Sequence, residues 1–171
     1  MLDAAAEVLA EQGLSASVDE IARRAGVGHG TVFRRFPTKE ALVAAVVCKR
    51  LEEISATAEE LLDHAGAGEA FEAFVWHMAE VYARDRGIFE GLPVCAEIAE
   101  VAEAKGRFLE VVARLLGRAQ EEGAVRADLA PQDVPMLVGS AILGSSWSHE
   151  GEPWRRYVAV VLDGMRTQAR A

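Results

Sequence analysis

The chain has 171 residues, of which 51% are hydrophobic, so it can bury a sizeable core and is too apolar to be generally disordered. Charges or glycines interrupt the apolar stretches before they reach the roughly 20 residues that a membrane span needs, and the N-terminus shows no basic region followed by an apolar one. These features exclude a membrane protein and predict no secretory signal. The two cysteines, Cys48 and Cys95, are far apart and predict reduced thiols, so we expect a cytoplasmic protein.

Apolar residues recur at helical spacing along nearly the whole chain, which predicts an all-α fold of about nine helices. A first helix is expected over residues 2–12. A capping box formed by Ser17 and Glu20 starts a second helix, and a glycine-rich turn stops it. A short third helix is expected over residues 29–36. Pro37 closes it, and a fourth helix follows and runs into the fifties or sixties.

The remainder of the chain predicts five further helices. A glycine-rich turn at residues 64–68 precedes the fifth helix, and an irregular piece is expected around residues 86–93. The last four helices are expected at about 95–103, 105–122, 132–147 and 154–170.

Charge is unevenly distributed along the chain. The net charge is −9, yet residues 1–50 carry seven basic and six acidic side chains, whereas residues 51–171 carry eleven basic and twenty-one acidic ones. A local cationic surface is enough for nucleic-acid binding, because it displaces counterions from the phosphates. Such clustering also occurs on solvated helix faces, so charge alone does not decide the function.

The segment 17–42 consists of a capped helix, a glycine turn and a short second helix, which is the helix-turn-helix arrangement. On the second helix, Val32 and Phe36 are four residues apart and can pack inward, which leaves Arg34 on the opposite side. Arginine can form two parallel hydrogen bonds to guanine, and the start of the next helix at Lys39 suits a phosphate. The same geometry also occurs as plain packing in all-α proteins, so the spacing alone leaves both interpretations open.

The run A-G-V-G-H-G-T-V-F-R-R-F-P-T-K-E-A-L over residues 25–42 resembles the signature of the TetR family of bacterial regulators, and L-D-A-A-A-E-V-L-A-E-Q-G before it resembles that family's first helix. The stretch 121–139 resembles a loop and helix of the family's body. The resemblance implies a helix-turn-helix DNA-binding domain at 1–47 and a ligand-binding and dimerisation domain at 48–171. The implied contacts with double-stranded DNA are Ser17, Gly28, His29, Gly30, Thr31, Phe33, Arg34, Arg35 and Lys39.

Three positions depart from the family pattern. Phe33 stands where the family usually has tyrosine, whose hydroxyl a phosphate could bond. Gly28 replaces a common serine, so the third helix lacks its usual side-chain cap. Arg35 occupies a position that is often histidine, and its charge could compensate for the hydroxyl that is missing at Phe33.

The middle helices carry an aromatic and methionine face that could enclose a small-molecule effector, since such pockets are mostly apolar with few polar anchors. The family resemblance favours an effector site, and ordinary core packing is the alternative for each residue. The candidate effector-binding residues are Phe71, Phe74, His77, Met78, Tyr82, Phe89, Phe108, Val112, Met136 and Ser140.

The last two predicted helices combine small residues, which permit close helix contact, with more apolar residues than one buried face requires. Two copies would form a four-helix interface in a homodimer, although the same residues could also close the core of one protomer. The candidate interface residues are Leu137, Ala141, Gly144, Trp154, Tyr157, Val158, Val161 and Met165.

No catalytic, metal or cofactor site is predicted, because the four histidines, His29, His64, His77 and His149, lack metal-ligand spacing and the glycine-rich runs lack a phosphate-binding lysine. We therefore expect a regulator, acting as a repressor, that binds a palindromic operator as a homodimer and is released by an effector. The alternative is a helical small-molecule-binding protein without operator binding, which Phe33 and the acidic total favour. An all-helical enzyme ranks last.

Overall fold

The computed structural model of the chain describes residues 1–63, 66–85, 87–145 and 153–167, and for residues 87–90 it describes the backbone without the side chains. This described part forms nine α-helices, a 3-10 turn at Gly13–Ser15 and one isolated antiparallel bridge between Val125 and Arg166. The all-α prediction is therefore confirmed. The helices are α1 Leu2–Gln12, α2 Val18–Arg24, α3 His29–Arg35, α4 Lys39–Leu61, α5 Ala67–Arg84, α6 Gly87–Val94, α7 Ala99–Glu121, α8 Asp133–Ser145 and α9 Pro153–Met165.

The expected number of helices is correct only because two errors cancel: one helix was not predicted, and another was predicted as two. Most of the piece expected to be irregular is α6, and the two helices expected between residues 95 and 122 are the single helix α7. Gly106 does not break α7, because a glycine inside a helix costs only about 1 kcal/mol relative to alanine. It lies on the exposed side of α7, where an added Cβ would meet nothing within 4 Å. Several predicted features lie outside the described residues: His64, His149, the side chain of Phe89, the helix end at 147 and the stretch 168–170.

The chain divides into two compact units. The first unit contains Met1–Glu52 and Arg84–Gly106, and the second contains Glu53–Ala83 and Arg107–Ala171. Helices α4 and α7 therefore each contribute residues to both units. The expected domain boundary at residue 47 stays a prediction, and the packing adds residues 84–106 to the N-terminal helices.

The first unit is built around α1, α2, α3 and the first half of α4. Val8, Leu9, Ile21 and Val32 are buried between these helices, as their helical spacing requires. Helix α6 packs on α1 and on the 3-10 turn. Gly91 of α6 also lies against α4, because a Cβ at this position would be only 2.8 Å from Val43 Cγ1. A side chain at this position would therefore force α6 away from α4.

An ion pair also joins the residues 84–106 to α4 within the first unit. Arg50 Nε lies 2.7 Å from Asp85 Oδ2, and both side chains are almost fully buried. Asp85 directly follows the last residue of α5. A buried carboxylate requires a cationic partner, so losing either residue would leave a buried charge uncompensated.

The second unit has a core of aromatic and aliphatic side chains from α5, the second half of α7, α8 and α9. Phe71, Phe74 and Met78 of α5 are buried, and the rings of Phe74 and Phe108 have centroids 6.5 Å apart. Helix α8 packs on α9. The loop after α7 is fixed to the end of α9, since Arg126 N–H donates to the carbonyl of Met165 at 2.9 Å.

No helix in the described ranges is both long enough and apolar enough to cross a bilayer. Cys95 is buried in the first unit and donates its thiol hydrogen to the carbonyl of Gly91 at 2.9 Å, and burial raises the pKa of this thiol. Cys48 is half-buried on α4, and neither cysteine forms a disulfide.

Candidate nucleic-acid interface

Helices α2 and α3 form a helix-turn-helix whose geometry follows from three local signals. The Ser17 hydroxyl caps α2 by accepting from the backbone N–H of Glu20 at 3.1 Å, as expected from the sequence. Gly26 has a φ of +67°, which allows the tight turn after α2. Gly28 starts α3 with no side-chain cap, and Pro37 follows the helix.

Helix α3 has one buried and one exposed side. Val32 is buried against the rest of the first unit and Phe36 is half-buried, so these two side chains anchor the helix from behind. The outer side exposes six of the predicted DNA contacts. We call them the α3 surface: His29, Gly30, Thr31, Phe33, Arg34 and Arg35.

The two arginines at the end of α2 are paired with carboxylates. Arg23 Nε lies 3.0 Å from Glu20 Oε2, and both terminal nitrogens of Arg24 lie within 3.0 Å of the Glu11 carboxylate. These hydrogen bonds, followed by charge attraction, raise the pKa of both guanidinium groups and lower the pKa of both carboxyl groups. The positive charge of α2 is thus largely balanced within the protein.

The two arginines at the end of α3 have different neighbours. Arg34 Nη2 lies 3.4 Å from Thr31 Oγ1, and the Arg35 guanidinium carbon lies 5.8 Å from the centroid of the Phe36 ring. Neither forms an ion pair with any residue in the described part of the chain. Their charges and most of their N–H donors therefore face solvent and remain available to an anionic partner.

His29 stands at the first position of α3 and is held on two sides. Its Nδ1 contacts Asp19 Oδ1 of α2 across the turn. The Phe33 ring packs beside the imidazole, with centroids 4.5 Å apart and planes 35° apart. Phe33 thus has a packing partner on α3 even though it lacks the hydroxyl of tyrosine.

Lys39 begins α4, and its ammonium donates to the carbonyl of Leu14 in the 3-10 turn. An ammonium group has three N–H donors, so this contact leaves donors for a phosphate. The helix start is capped by Thr38, whose hydroxyl accepts from the Ala41 N–H at 3.1 Å. Lys39 therefore also has a structural role that its position in the sequence did not predict.

The predicted effector residues of the second unit fall into two groups. Phe71, Phe74, Met78, Tyr82, Phe108 and Val112 are buried, and burial raises the pKa of the Tyr82 phenol. His77 is half-buried on α5. Met136 and Ser140, in contrast, are exposed on α8, with Met136 69% exposed, so they lie away from the buried group within one protomer.

The predicted dimer residues also separate by burial. Trp154, Val158 and Met165 are buried within the protomer, where Trp154 packs on Trp76 at a centroid distance of 6.5 Å. Helical geometry places these three on the inner side of α9. The outer sides of α8 and α9 form what we call the α8–α9 surface: Met136, Leu137, Ala141, Leu143, Gly144, Tyr157, Val160, Val161 and Gly164.

Family comparisons agree with both halves of this architecture. The family model described as "Bacterial regulatory proteins, tetR family" matches residues 1–46, and the one described as "Transcriptional regulator SbtR-like, C-terminal domain" matches residues 66–167. The chain belongs to the TetR family. This family consists of transcriptional regulators rather than enzymes.

Individual TetR-family proteins resemble the chain over different lengths. The crystal structure of the TetR transcription regulatory protein from Mycobacterium vanbaalenii is 38% identical, with a TM-score of 0.66 and coverage of 96% of this chain and 92% of that one. The HTH-type transcriptional repressor Rv3405c of Mycobacterium tuberculosis is 36% identical over 95 residues, or 55% of this chain and 47% of the repressor. The A-factor receptor protein of Streptomyces griseus is 29% identical over 155 residues, or 85% and 50%. The chain spans about half the length of these two curated relatives.

Besides the contact of Lys39 with Leu14, two features of this TetR-family chain were missed by reasoning from sequence. One is the contact of Asp19 with His29, and the other is the buried pair of Arg50 with Asp85. A turn of fixed geometry between α2 and α3 is a signal that could have indicated the first contact. The second joins residues 35 positions apart in the sequence, so no local sequence pattern predicts it.

Proposed function

We propose that the chain is a transcriptional regulator, acting as a repressor, that binds a palindromic DNA operator as a homodimer and is released by a small-molecule effector. The observation that carries the proposal is the contrast between two arginine doublets. The protein balances Arg23 and Arg24 with its own carboxylates, whereas Arg34 and Arg35 are exposed and form no ion pair with the residues that the structure describes.

The α3 surface has the chemistry of a major-groove reader. Arg34 and Arg35 can fork two hydrogen bonds to guanine O6 and N7 or contact phosphates, and Thr31 can bond base edges. Gly30 carries no side chain, and a Cβ there would meet nothing within 4 Å, so its backbone can approach the duplex closely. With Val32 holding the helix from behind, these groups are directed outward together.

The α8–α9 surface supports the homodimer. Tyr157, Val160, Val161 and Gly164 recur at helical spacing along one side of α9, and Leu137, Ala141 and Gly144 do so on α8. Val160 is 63% exposed within the protomer. The inner apolar sides of α8 and α9 pack within the protomer, which leaves their outer apolar sides for a partner. A second copy of the chain would bury these outer sides symmetrically.

The glycines of this surface support the same partner. Added Cβ atoms at Gly144 and Gly164 would meet nothing within 4 Å, so packing inside the protomer does not require glycine at either position. Glycine in a helix costs about 1 kcal/mol relative to alanine. The close approach of a second pair of helices would explain why glycine stands at these two positions.

The buried residues of α5 and α7 are the proposed effector site. Because Phe74, Met78 and Phe108 are packed in the core, an effector would have to be largely apolar and would have to displace them. The resemblance to a protein named the A-factor receptor supports a receptor role for the body.

A second candidate function is small-molecule binding without operator binding. Phe33 lacks the phosphate-bonding hydroxyl, Lys39 is already engaged with Leu14, and the net charge is −9. A gel shift at several salt concentrations separates the two functions. Specific binding that weakens steeply with salt supports the regulator, because each phosphate contact contributes about 0.9 to the slope of log K against log salt.

Selection of bound sequences from random DNA with the intact chain tests the main proposal. A regulator of this kind should enrich a palindrome whose half-sites are about 34–36 Å apart or somewhat more, and this result would establish dimer and operator together. The matched control is a chain carrying Arg34→Ala and Arg35→Ala, which should enrich nothing. A native chain that also enriches nothing would overturn operator binding.

A further inference from the structure

We propose that Asp19 fixes the hydrogen-bonding role of His29, so that His29 reads an exocyclic amine of adenine or cytosine in the operator. This inference rests on the proposed DNA binding and adds a specificity-determining residue and a positioning residue to it. It is carried by the contact between Asp19 and His29 across the turn of the helix-turn-helix.

The geometry leaves one nitrogen of the imidazole for a partner. Asp19 Oδ1 contacts Nδ1 of His29, and a carboxylate only accepts hydrogen bonds, so Nδ1 must carry the hydrogen. In the neutral ring, Nε2 then has a lone pair and no hydrogen. The side chain of His29 is 54% exposed, so the imidazole can be reached from outside the protein.

Phe33 holds the ring in place from a second direction. Its ring centroid lies 4.5 Å from that of His29, and both residues belong to the exposed side of α3. Rotation of the imidazole about its axis is thus opposed by Asp19 at one edge and by Phe33 at one face. These two contacts favour one orientation of the acceptor at Nε2.

A fixed acceptor distinguishes the bases. In the major groove, adenine offers its N6 amine and cytosine its N4 amine as donors, whereas guanine and thymine offer acceptors at the corresponding positions. A neutral His29 with the hydrogen on Nδ1 can bond the first pair and is repelled by the second. Without Asp19, the hydrogen could move to Nε2 and the preference would be lost.

Asp19 also has a simpler possible role, which the experiment has to separate. It is the second residue of α2, where an acidic side chain stabilises the positive end of a helix. Asp3 occupies the same position of α1 and pairs with Lys49. Asp3→Asn therefore removes the same charge from the same helix position without touching His29, and it is the matched control for Asp19→Asn.

The test uses the intact chain and the sequence obtained by selection, in a buffer of about pH 8, in which imidazole free in water is neutral. Each adenine or cytosine of one half-site is replaced in turn by an analogue that lacks the exocyclic amine. At one position we expect the native chain to lose roughly fivefold to tenfold in affinity, the value of one hydrogen bond. Asp19→Asn and His29→Ala should reduce this penalty to less than about twofold, and Asp3→Asn should keep it.

Nitrogen-15 chemical shifts of His29 in the DNA-free chain give a second readout, which does not depend on an operator. The native ring should show the hydrogen on Nδ1, and Asp19→Asn should show a mixture of both forms. If the native chain selects no DNA sequence, the proposed function and this inference fail together. If it selects a palindrome but Asp19→Asn retains the full amine penalty, or the shifts do not change, the inference alone is overturned.

Discussion

The α3 surface and the α8–α9 surface expose opposite chemistry. The first presents cationic and hydrogen-bonding side chains, among them Arg34 and Arg35. The two arginines of α2, in contrast, are paired with carboxylates. The second presents aliphatic and aromatic side chains, while the inner sides of the same helices already supply the core. Each surface therefore has exposed groups that remain available to a partner: the guanidinium groups of Arg34 and Arg35 on the first, and apolar side chains such as Val160 on the second. The difference between them corresponds to the two proposed partners, an anionic duplex for the first surface and a second copy of the chain for the other.

The largest expected effect comes from placing a charge in the α8–α9 surface. In Val160→Asp, a carboxylate would be buried at the proposed dimer interface, and we expect the dissociation constant of the dimer to rise by roughly 100-fold, or about 3 kcal/mol. Sedimentation over a range of protein concentrations measures this change. Val94→Asp is the control, because Val94 is also exposed, at 51%, but belongs to α6 in the first unit. Equal dimerisation of both variants would remove the α8–α9 surface from the proposal.

A smaller effect is expected at the α3 surface. Arg34→Ala removes one forked contact and should weaken operator binding about 10- to 100-fold, with a relaxed preference at one base pair. Arg35→Ala should weaken it as well. Arg23→Ala, on α2, should change the affinity by less than about threefold, since its guanidinium is held by Glu20. Gel shifts on the selected operator measure all three, and an equal loss for Arg23→Ala would contradict the comparison between the doublets.

Lys39→Ala should act more weakly and without regard to sequence. The ammonium can contact a phosphate, so its loss should lower affinity about fivefold on every duplex and reduce the salt slope by about 0.9. Lys39 also bonds the carbonyl of Leu14, and thermal unfolding of the variant measures how much of the loss is structural. A loss confined to one operator sequence would mean that Lys39 reads a base instead.

The smallest expected effect is a difference in stability between alanine substitutions at Gly106 and Gly144, where an added Cβ would meet nothing within 4 Å in the protomer. Gly106→Ala, on the exposed side of α7, should stabilise the chain by up to about 1 kcal/mol, because alanine favours the helix. Gly144→Ala should give less than this, since its methyl would face the partner helix in the proposed dimer. Thermal unfolding at several protein concentrations measures both changes. Equal stabilisation by the two variants would argue against close packing at Gly144.

Local signals in the sequence were sufficient for the helix-turn-helix. The Ser17 cap, the turn at Gly26 and the stop at Pro37 act within a few residues, so the bounds of α1 to α3 and the start of α4 could be predicted closely, whereas the end of α4 was expected only in the fifties or sixties. The α6 region could not be predicted in this way. Gly91 looks like a helix breaker, yet it is glycine because α4 lies against it, and that contact joins residues far apart in the chain.

The body was harder to predict because α8 is apolar on all sides. A helix with one apolar side reveals by its spacing which side faces the core, but α8 gives no such signal. Met136 was therefore expected beside the buried residues of α5, and the structure places it outside. The apolar side of α9 is wide, so Trp154 and Val158, which are buried in the protomer, were grouped with Tyr157, which is exposed.

The contacts of Gly91 with Val43 and of Asp85 with Arg50 bear on how chimeric regulators can be built from this chain. A fragment that ended on α4 just after Arg50 would expose the aliphatic side of Val43 and Val47 to water and leave the Arg50 guanidinium without its counter-ion. Grafting the head onto another receptor would therefore require transplanting residues 84–106 along with the first 52, as a discontinuous module. The grafted unit would then keep its own packing contacts, whichever ligand-binding domain is joined to it.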